Sequence, residues 1–185
     1  FNRMLVLAGR FRNFLRDVAV GFIHGDDAVF VGSGAPKGKE LDIPGRWDPA
    51  VRDQIHIGIE WLSSVHFGHI ESIGENVLII GVGNTAMDCC RTSRRLGGTN
   101  TNVIARRGRK FFKASPWELE DAEEEGIHII ENHAPKRFVI ENGKLVGMEF
   151  ERLEWSESNG RQTSTVTDTI IMPCDTVILA IGQDN

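Results

Sequence analysis

The sequence contains no tyrosine and only three cysteines, Cys89, Cys90 and Cys174, in 185 residues. An odd, low count with one adjacent pair excludes a disulfide framework and suits a reducing compartment, so a cytoplasmic location is expected. No C-x-x-C occurs, which excludes the usual redox dithiol. Without tyrosine there is no Tyr-x-x-x-Lys relay, as a stand-alone dehydrogenase of small substrates would need. The histidines (His24, His56, His66, His69, His128 and His133) show no H-E-x-x-H spacing, so no zinc site is expected. No apolar run approaches the roughly 20 residues of a membrane span. Arginines break up the apolar residues of FNRMLVLAGRFRNFLRD, so no signal peptide is expected either. With 21 basic against 26 acidic side chains, the chain does not look like a bulk nucleic-acid binder. There is no internal repeat or low-complexity segment, and the start at Phe1 reads as a piece of something longer.

What is present alternates between strand and helix signals, then changes character. DAVFV (27–31) reads as a buried strand running into the connector GSGAPKGKELDIPG. Asp48 and Pro49 look like an N-cap and first helical residue. Ile55, Ile59, Leu62 and Val65 follow at the spacing of one helix face. VLII (77–80) is a strand, and a helix from about Thr85 to Leu96 stops at Gly97-Gly98. NVIA (102–105) is the next strand. Ser115-Pro116-Trp117-Glu118 has the form of a capping box, opening an acidic helix that ends near Gly126. Strand IHII (127–130) completes a three-stranded parallel core. A meander then follows: 137–141, a tight turn at Asn142-Gly143, 144–155, a polar loop SESNGRQ, and 163–172. CDTVILAIG (174–182) closes with another buried strand.

GVGNTAMD (81–88) carries the chemistry. It follows the strand VLII and opens a helix, with Gly81 for the sharp turn and Gly83 for close approach of a pyrophosphate. Ala86 is small enough for helix-on-strand packing. The helix N-terminus offers unpaired N–H groups and the positive end of its dipole. The bland alternative is a tight βα turn without ligand. About twenty residues on, an NAD site has an acid for the ribose hydroxyls; here stand Arg106 and Arg107, with Arg109, Lys110 and Lys113 beyond. A guanidinium pairs a 2′-phosphate through two parallel hydrogen bonds, which favours NADP(H). The bland alternative is a solvated basic loop balancing the acidic helix ELEDAEEE. GSGAPKG (32–38) is a decoy, because Lys37 stands where the third glycine would fall. Cys89, Cys90, Cys174, Trp61 and Trp117 are expected to be packing residues, and His66 and His69 surface groups. No catalytic acid, base or nucleophile is identified.

These residues give the chain a family likeness. DAVFVGSGAPKGKELDIPG, VLIIGVGNTAMDCCRTSRRLGG, IARRGRKFFKASPWELEDAEEEGI, GKLVGMEFERLE and CDTVILAIGQ occur in order across most of 27–183. Together they resemble the NADPH-binding domain of the glutamate synthase small (β) subunit family. These are FAD-dependent pyridine nucleotide oxidoreductases, and they include the flavin segment of dihydropyrimidine dehydrogenase. The resemblance implies a Rossmann-like α/β fold: a parallel core sheet plus an antiparallel meander, flanked by strands of an incomplete FAD domain. It implies a FAD-domain stub and connector over 1–45, an NADP(H)-binding domain over 46–172 and a FAD-domain return strand over 173–185. It implies that Val82, Gly83, Asn84 and Thr85 contact the pyrophosphate, and that Arg106 and Arg107, helped by Lys113, hold the 2′-phosphate. Ala180, Ile181 and Gly182 are implied to line the cofactor. The implied activity is hydride passage from NADPH to FAD and on to an iron–sulfur or large-subunit acceptor, within an intact parent chain. The family's N-terminal FAD fingerprint and closing segment are missing, so the fragment alone is expected to be inactive. A regulatory NADP(H)-binding module, or a subunit of a ferredoxin-linked NADPH oxidoreductase, stands as the alternative.

Overall fold

The computed structural model describes residues 37–158 and 161–184. The chain divides into two units, Phe1–Lys37 with Gln183–Asn185, and Gly38–Gly182. The expected strand at 27–31 and the start of the connector lie outside the described residues. The larger unit carries the helices and the two larger sheets of the described residues.

Its centre is a five-stranded parallel sheet built from β1 (Ile55–Ile57), β2 (Asn76–Ile80), β3 (Asn100–Ile104), β4 (His128–Ile130) and β8 (Thr176–Leu179). Spatial order is β1-β8-β2-β3-β4. Three helices accompany it: α1 (Gly58–His66), α2 (Asn84–Arg95) and α3 (Pro116–Glu124). Three further strands, β5 (His133–Glu141), β6 (Lys144–Ser158) and β7 (Arg161–Pro173), form a separate antiparallel sheet in that order.

β2 reads as an unbroken apolar run because both of its faces are covered. Side chains alternate across a strand. Val77 and Ile79 therefore join Trp61, Met87, Cys89, Cys90 and Leu119 under the helices. Leu78 and Ile80 join Phe138, Leu145, Met148 and Phe150 of the meander. The result is three layers: helices, parallel sheet, antiparallel sheet. Each fully buried Leu, Ile or Phe contributes about 1.5–3 kcal/mol, so the sheet is anchored on both faces.

Three expectations change. The core has five parallel strands rather than three, because β1 and β8 join it. Thr176–Leu179 lies between β1 and β2, with Val177 registered on both Ile55 and Leu78. Its four residues are all buried, which a central position in a two-sided sheet requires. The helix expected from Asp48 is only a 3₁₀ turn, Pro49–Gln54, capped as foreseen by Asp48 accepting from the Ala50 amide at 2.9 Å. Ile55 and Ile57 then enter the sheet edge instead of a helix face. Helix α1 starts only at Gly58, where a Cβ would lie 3.1 Å from Cys89 Sγ. Finally, most of SESNGRQ is strand: Ser156 pairs with Thr163 and Glu157 with Gln162, supported by a Ser156–Thr163 hydroxyl contact of 2.9 Å.

Packing roles follow the burial. Trp61, Cys89, Cys90 and Cys174 are core residues, and His66 and His69 are exposed, as expected. Trp117 is not a packing residue; it is 66% exposed in the first turn of α3. Ser115 stands before α3 with Pro116 at the first position, but its side chain makes no capping bond. Its amide donates instead to Asn84 Oδ1. No helix among the described residues is long and apolar enough to cross a membrane.

Candidate functional site

The turn after β2 is tight for reasons visible in its neighbours. Gly81 has φ +123°, and its amide donates to the Ile104 carbonyl at 3.1 Å. A Cβ on Gly81 would lie 2.3 Å from the Ala180 carbonyl oxygen. Ala180 in turn donates its amide to Ile80 at 2.8 Å. The exits of β2, β3 and β8 therefore crowd together, and the backbone of Ala180 and Ile181 stands beside the turn, with Gly182 next in the chain. Gly83 is different: its φ is −102°, and a Cβ there would meet no atom within 4 Å. The space over Gly83 is open toward solvent.

Helix α2 begins at Asn84, with Gly83 as N-cap and no side-chain cap. As its first residues, Asn84 and Thr85 have no intrahelical acceptor for their amides. The first turn carries no acidic residue, while Arg94 and Arg95 occupy the last. The positive end of the dipole is thus left unneutralised within its own turn. Ala86 is fully buried against the sheet. Farther along, burial, then the charge of Glu118, pushes the Asp88 carboxyl above its usual range.

The segment after β3 is fastened to this turn. The amides of Lys113 and Ala114 both donate to the Val82 carbonyl, at 3.1 and 3.0 Å. Asn84 Oδ1 accepts from the Ser115 amide at 3.2 Å. Three hydrogen bonds therefore fix the basic loop 106–115 against the glycine turn.

The cations on that loop have separate fates. Arg109 donates to both carboxylate oxygens of Glu123, with distances of 2.5 and 2.9 Å, and its backbone amide donates to Glu131 Oε2 at 2.8 Å. For Arg109 the solvated, acid-balancing alternative is the right one. Arg106 is exposed, and among the described residues its guanidinium has no ion-pair or hydrogen-bond partner. Arg107 lies with its Cζ 5.2 Å from the Phe111 ring centroid and 4.9 Å from that of Trp155. Lys113 is exposed, on the residue whose amide is bonded to Val82. Next to the loop opens a cleft of about 680 Å³, whose lining includes Gly108, Lys110, Phe111, Glu131 and Trp155.

Every sequence-identified residue thus falls in one of three segments at the carboxyl ends of the parallel strands: 81–86, 106–113 and 180–182. Sequence reasoning missed Phe111, Ser115 and Trp155. Trp155 comes from the meander, about fifty residues beyond the loop it touches; a lone tryptophan in the polar stretch EWSES was the only signal. The three thiols do not enter the site. Burial pushes the Cys90 and Cys174 thiols up to about 12 and raises Cys89 further.

Comparison with known proteins agrees with this architecture. The chain is similar to the beta subunit of an NADPH-Fe(3+) oxidoreductase from Geobacter sulfurreducens, 35% identical over 163 residues, 85% of this chain and 24% of that protein. It is similar to the glutamate synthase (NADPH) small chain of Azospirillum brasilense, 30% identical over 168 residues, 84% of this chain and 34% of that one. The chain therefore spans about a quarter to a third of the length of these curated relatives. Among solved structures, FprA from Mycobacterium tuberculosis in complex with NADPH matches with a TM-score of 0.66 at 17% identity, over 85% of this chain and 50% of that one. A thioredoxin reductase from T. acidophilum matches at 0.57 and 14%, over 85% and 44%. Those two likenesses concern the fold. A family model described as pyridine nucleotide-disulphide oxidoreductase matches residues 13–185, and the chain belongs to that family.

Proposed function

We propose that this chain is the NADP(H)-binding portion of a flavoprotein oxidoreductase of the glutamate synthase small-subunit type. The observation that carries the reading is the joining of an open glycine turn to a basic loop whose Arg106 guanidinium has no ion-pair or hydrogen-bond partner among the described residues. The residues present suit both phosphate-bearing parts of the dinucleotide, the bridging pyrophosphate and the 2′-phosphate. The pyrophosphate would take the space over Gly83 and the amides of Asn84 and Thr85. The 2′-phosphate would take the fork of Arg106, with Arg107 and Lys113 beside it. Ala180, Ile181 and Gly182 would line the same edge.

When bound, NADPH supplies a hydride that FAD accepts. The contribution of this chain is placement: anion recognition at two points, on backbone held by a five-stranded sheet. FAD, held by the intact parent chain, and an iron–sulfur or large-subunit acceptor belong to the proposal. So does a cytoplasmic setting, where three buried thiols stay reduced. We read the five-stranded unit, β8 included, as the dinucleotide domain.

Calorimetric titration with NADPH and NADH tests the reading. NADPH is expected to bind at least about tenfold tighter, a gap of about 1.4 kcal/mol. Arg106→Glu is expected to close the gap, whereas Arg109→Ala leaves it open because its fork belongs to Glu123. Equal affinities in the unaltered chain would defeat the proposal. So would a full-length parent that, supplied with FAD and a dye acceptor, showed no NADPH-dependent reduction.

A further inference from the structure

Trp155 is an odd residue to find at the basic loop. It belongs to β6, in the sheet whose Phe138, Leu145, Met148 and Phe150 pack into the core. Strict alternation from Phe150 turns Leu153 and Trp155 to the other face of the strand. The pairing with β7 is irregular here: Arg152 pairs with Asp168 but Leu153 with Val166, so the extra residue, Thr167, lies on β7. Leu153 is buried, and its amide donates to the Asn132 carbonyl at 2.8 Å. Two residues on, Trp155 meets the loop twice. Its indole Nε1 donates to the Arg106 carbonyl at 3.3 Å, and its ring lies 4.9 Å from Arg107 Cζ. Phe111 contacts the same guanidinium at 5.2 Å.

We propose that Trp155 is a positioning residue for 2′-phosphate recognition, acting through Arg106 and Arg107; this rests on the NADP(H) reading above. Two aromatic faces restrain Arg107 by its charge and leave its N–H donors unspent, in contrast to Arg109. The indole N–H restrains the backbone from which the Arg106 side chain projects. Restraining a long cation before binding removes part of the entropy loss on binding. Phosphate discrimination on the parallel sheet therefore depends on a residue delivered by the antiparallel one.

The test uses the full chain, with 2′,5′-ADP and 5′-AMP as probes that differ only in the 2′-phosphate. Trp155→Leu is expected to weaken 2′,5′-ADP about five- to tenfold, on the scale of a cation–π contact, with 5′-AMP changed less than about twofold. Trp155→Phe, which keeps a ring face but lacks the N–H, is expected to restore part of the loss. In an Arg107→Met background Trp155→Leu is expected to cost clearly less, because one of its two targets is gone. Far-ultraviolet circular dichroism checks that each variant is folded. If Trp155→Leu does not fold, Trp155→Phe alone carries the test, and an unchanged probe ratio there overturns the inference. An equal loss of both probes overturns it too. If the unaltered chain does not prefer 2′,5′-ADP, the NADP(H) reading falls and the inference with it. If it prefers 2′,5′-ADP and neither Trp155 variant alters that preference, the inference alone falls.

Discussion

The carbonyl oxygen of Ala180 lies 2.3 Å from where a Cβ on Gly81 would stand. That contact, with φ +123° at Gly81, makes the first glycine of the turn a requirement of the fold. Gly83 has an ordinary φ and empty space, so its smallness serves no contact within the described residues. Gly81→Ala is expected to lower unfolding free energy by about 2–4 kcal/mol. Gly83→Ala should stay within about 0.5 kcal/mol of the unaltered chain yet weaken NADPH. Urea unfolding with calorimetric titration separates the two. A Gly81→Ala chain as stable as the original would contradict the crowding of strand exits.

The Asn84 side chain has a structural task. Its Oδ1 accepts from the Ser115 amide, while its own backbone amide stays at the open helix end. Asn84→Ala is expected to cost about 1 kcal/mol of stability, the net worth of one hydrogen bond. Hydrogen exchange should show faster loss of the Ser115 amide proton. Unchanged protection there would mean that the two Val82 bonds hold the loop without it.

The thiols should be silent in the native state. Cys89 and Cys90 are fully buried and Cys174 is 3% exposed, and all three are held well above the ordinary thiol range by burial. Thiolate is the reactive form. Ellman's reagent is expected to find no reactive thiol in the native chain at mildly alkaline pH, and three in denaturant. A rapidly labelled native cysteine would reopen a redox role for the adjacent pair.

Acid should weaken the meander. Glu149 is 8% exposed, bonded to Lys136 Nζ at 2.9 Å and to the Arg137 guanidinium. The Lys136 hydrogen bond first, and Arg137 with it, hold the Glu149 carboxyl below its ordinary value of 4.5 against the opposing effect of burial. A depressed folded value means stability that is fully present above the unfolded value and lost as pH falls through the folded one. Glu149→Gln is expected to be less stable at neutral pH but to lose less below about pH 4.5. Parallel acid limbs for the two chains would rule out this contribution.

The sequence made the βαβ unit readable because its signals are local. Gly81, Gly83 and Ala86 sit at fixed offsets between an apolar strand and a helix, and Arg106 follows at a chain distance set by one helix and one strand. Pro49, Pro116 and Asn142-Gly143 mark their turns for equally local reasons, since each fixes backbone angles by its own covalent structure. Local signals were also where reading went astray. The spacing of Ile55, Ile59, Leu62 and Val65 suits a helix, but the open sheet edge beside Val177 takes Ile55 and Ile57 as a strand. Ser115 and Glu118 have capping-box spacing, but the Ser115 amide is taken by Asn84 from another element.

By itself, then, the sequence determined the glycine turn between strand and helix, the order of strand and helix, and the basic loop after β3. These depend on neighbours in the chain and on residue chemistry. Only the tertiary structure decided that Thr176–Leu179 lies inside the parallel sheet between β1 and β2, nearly a hundred residues beyond its partner β2. It alone separated Arg109, spent on Glu123, from Arg106, which has no partner for its guanidinium among the described residues, and brought Trp155 to Arg107. Long-range pairing depends on which surfaces meet once three layers have packed. A short stretch of sequence does not encode the face its distant partner will offer.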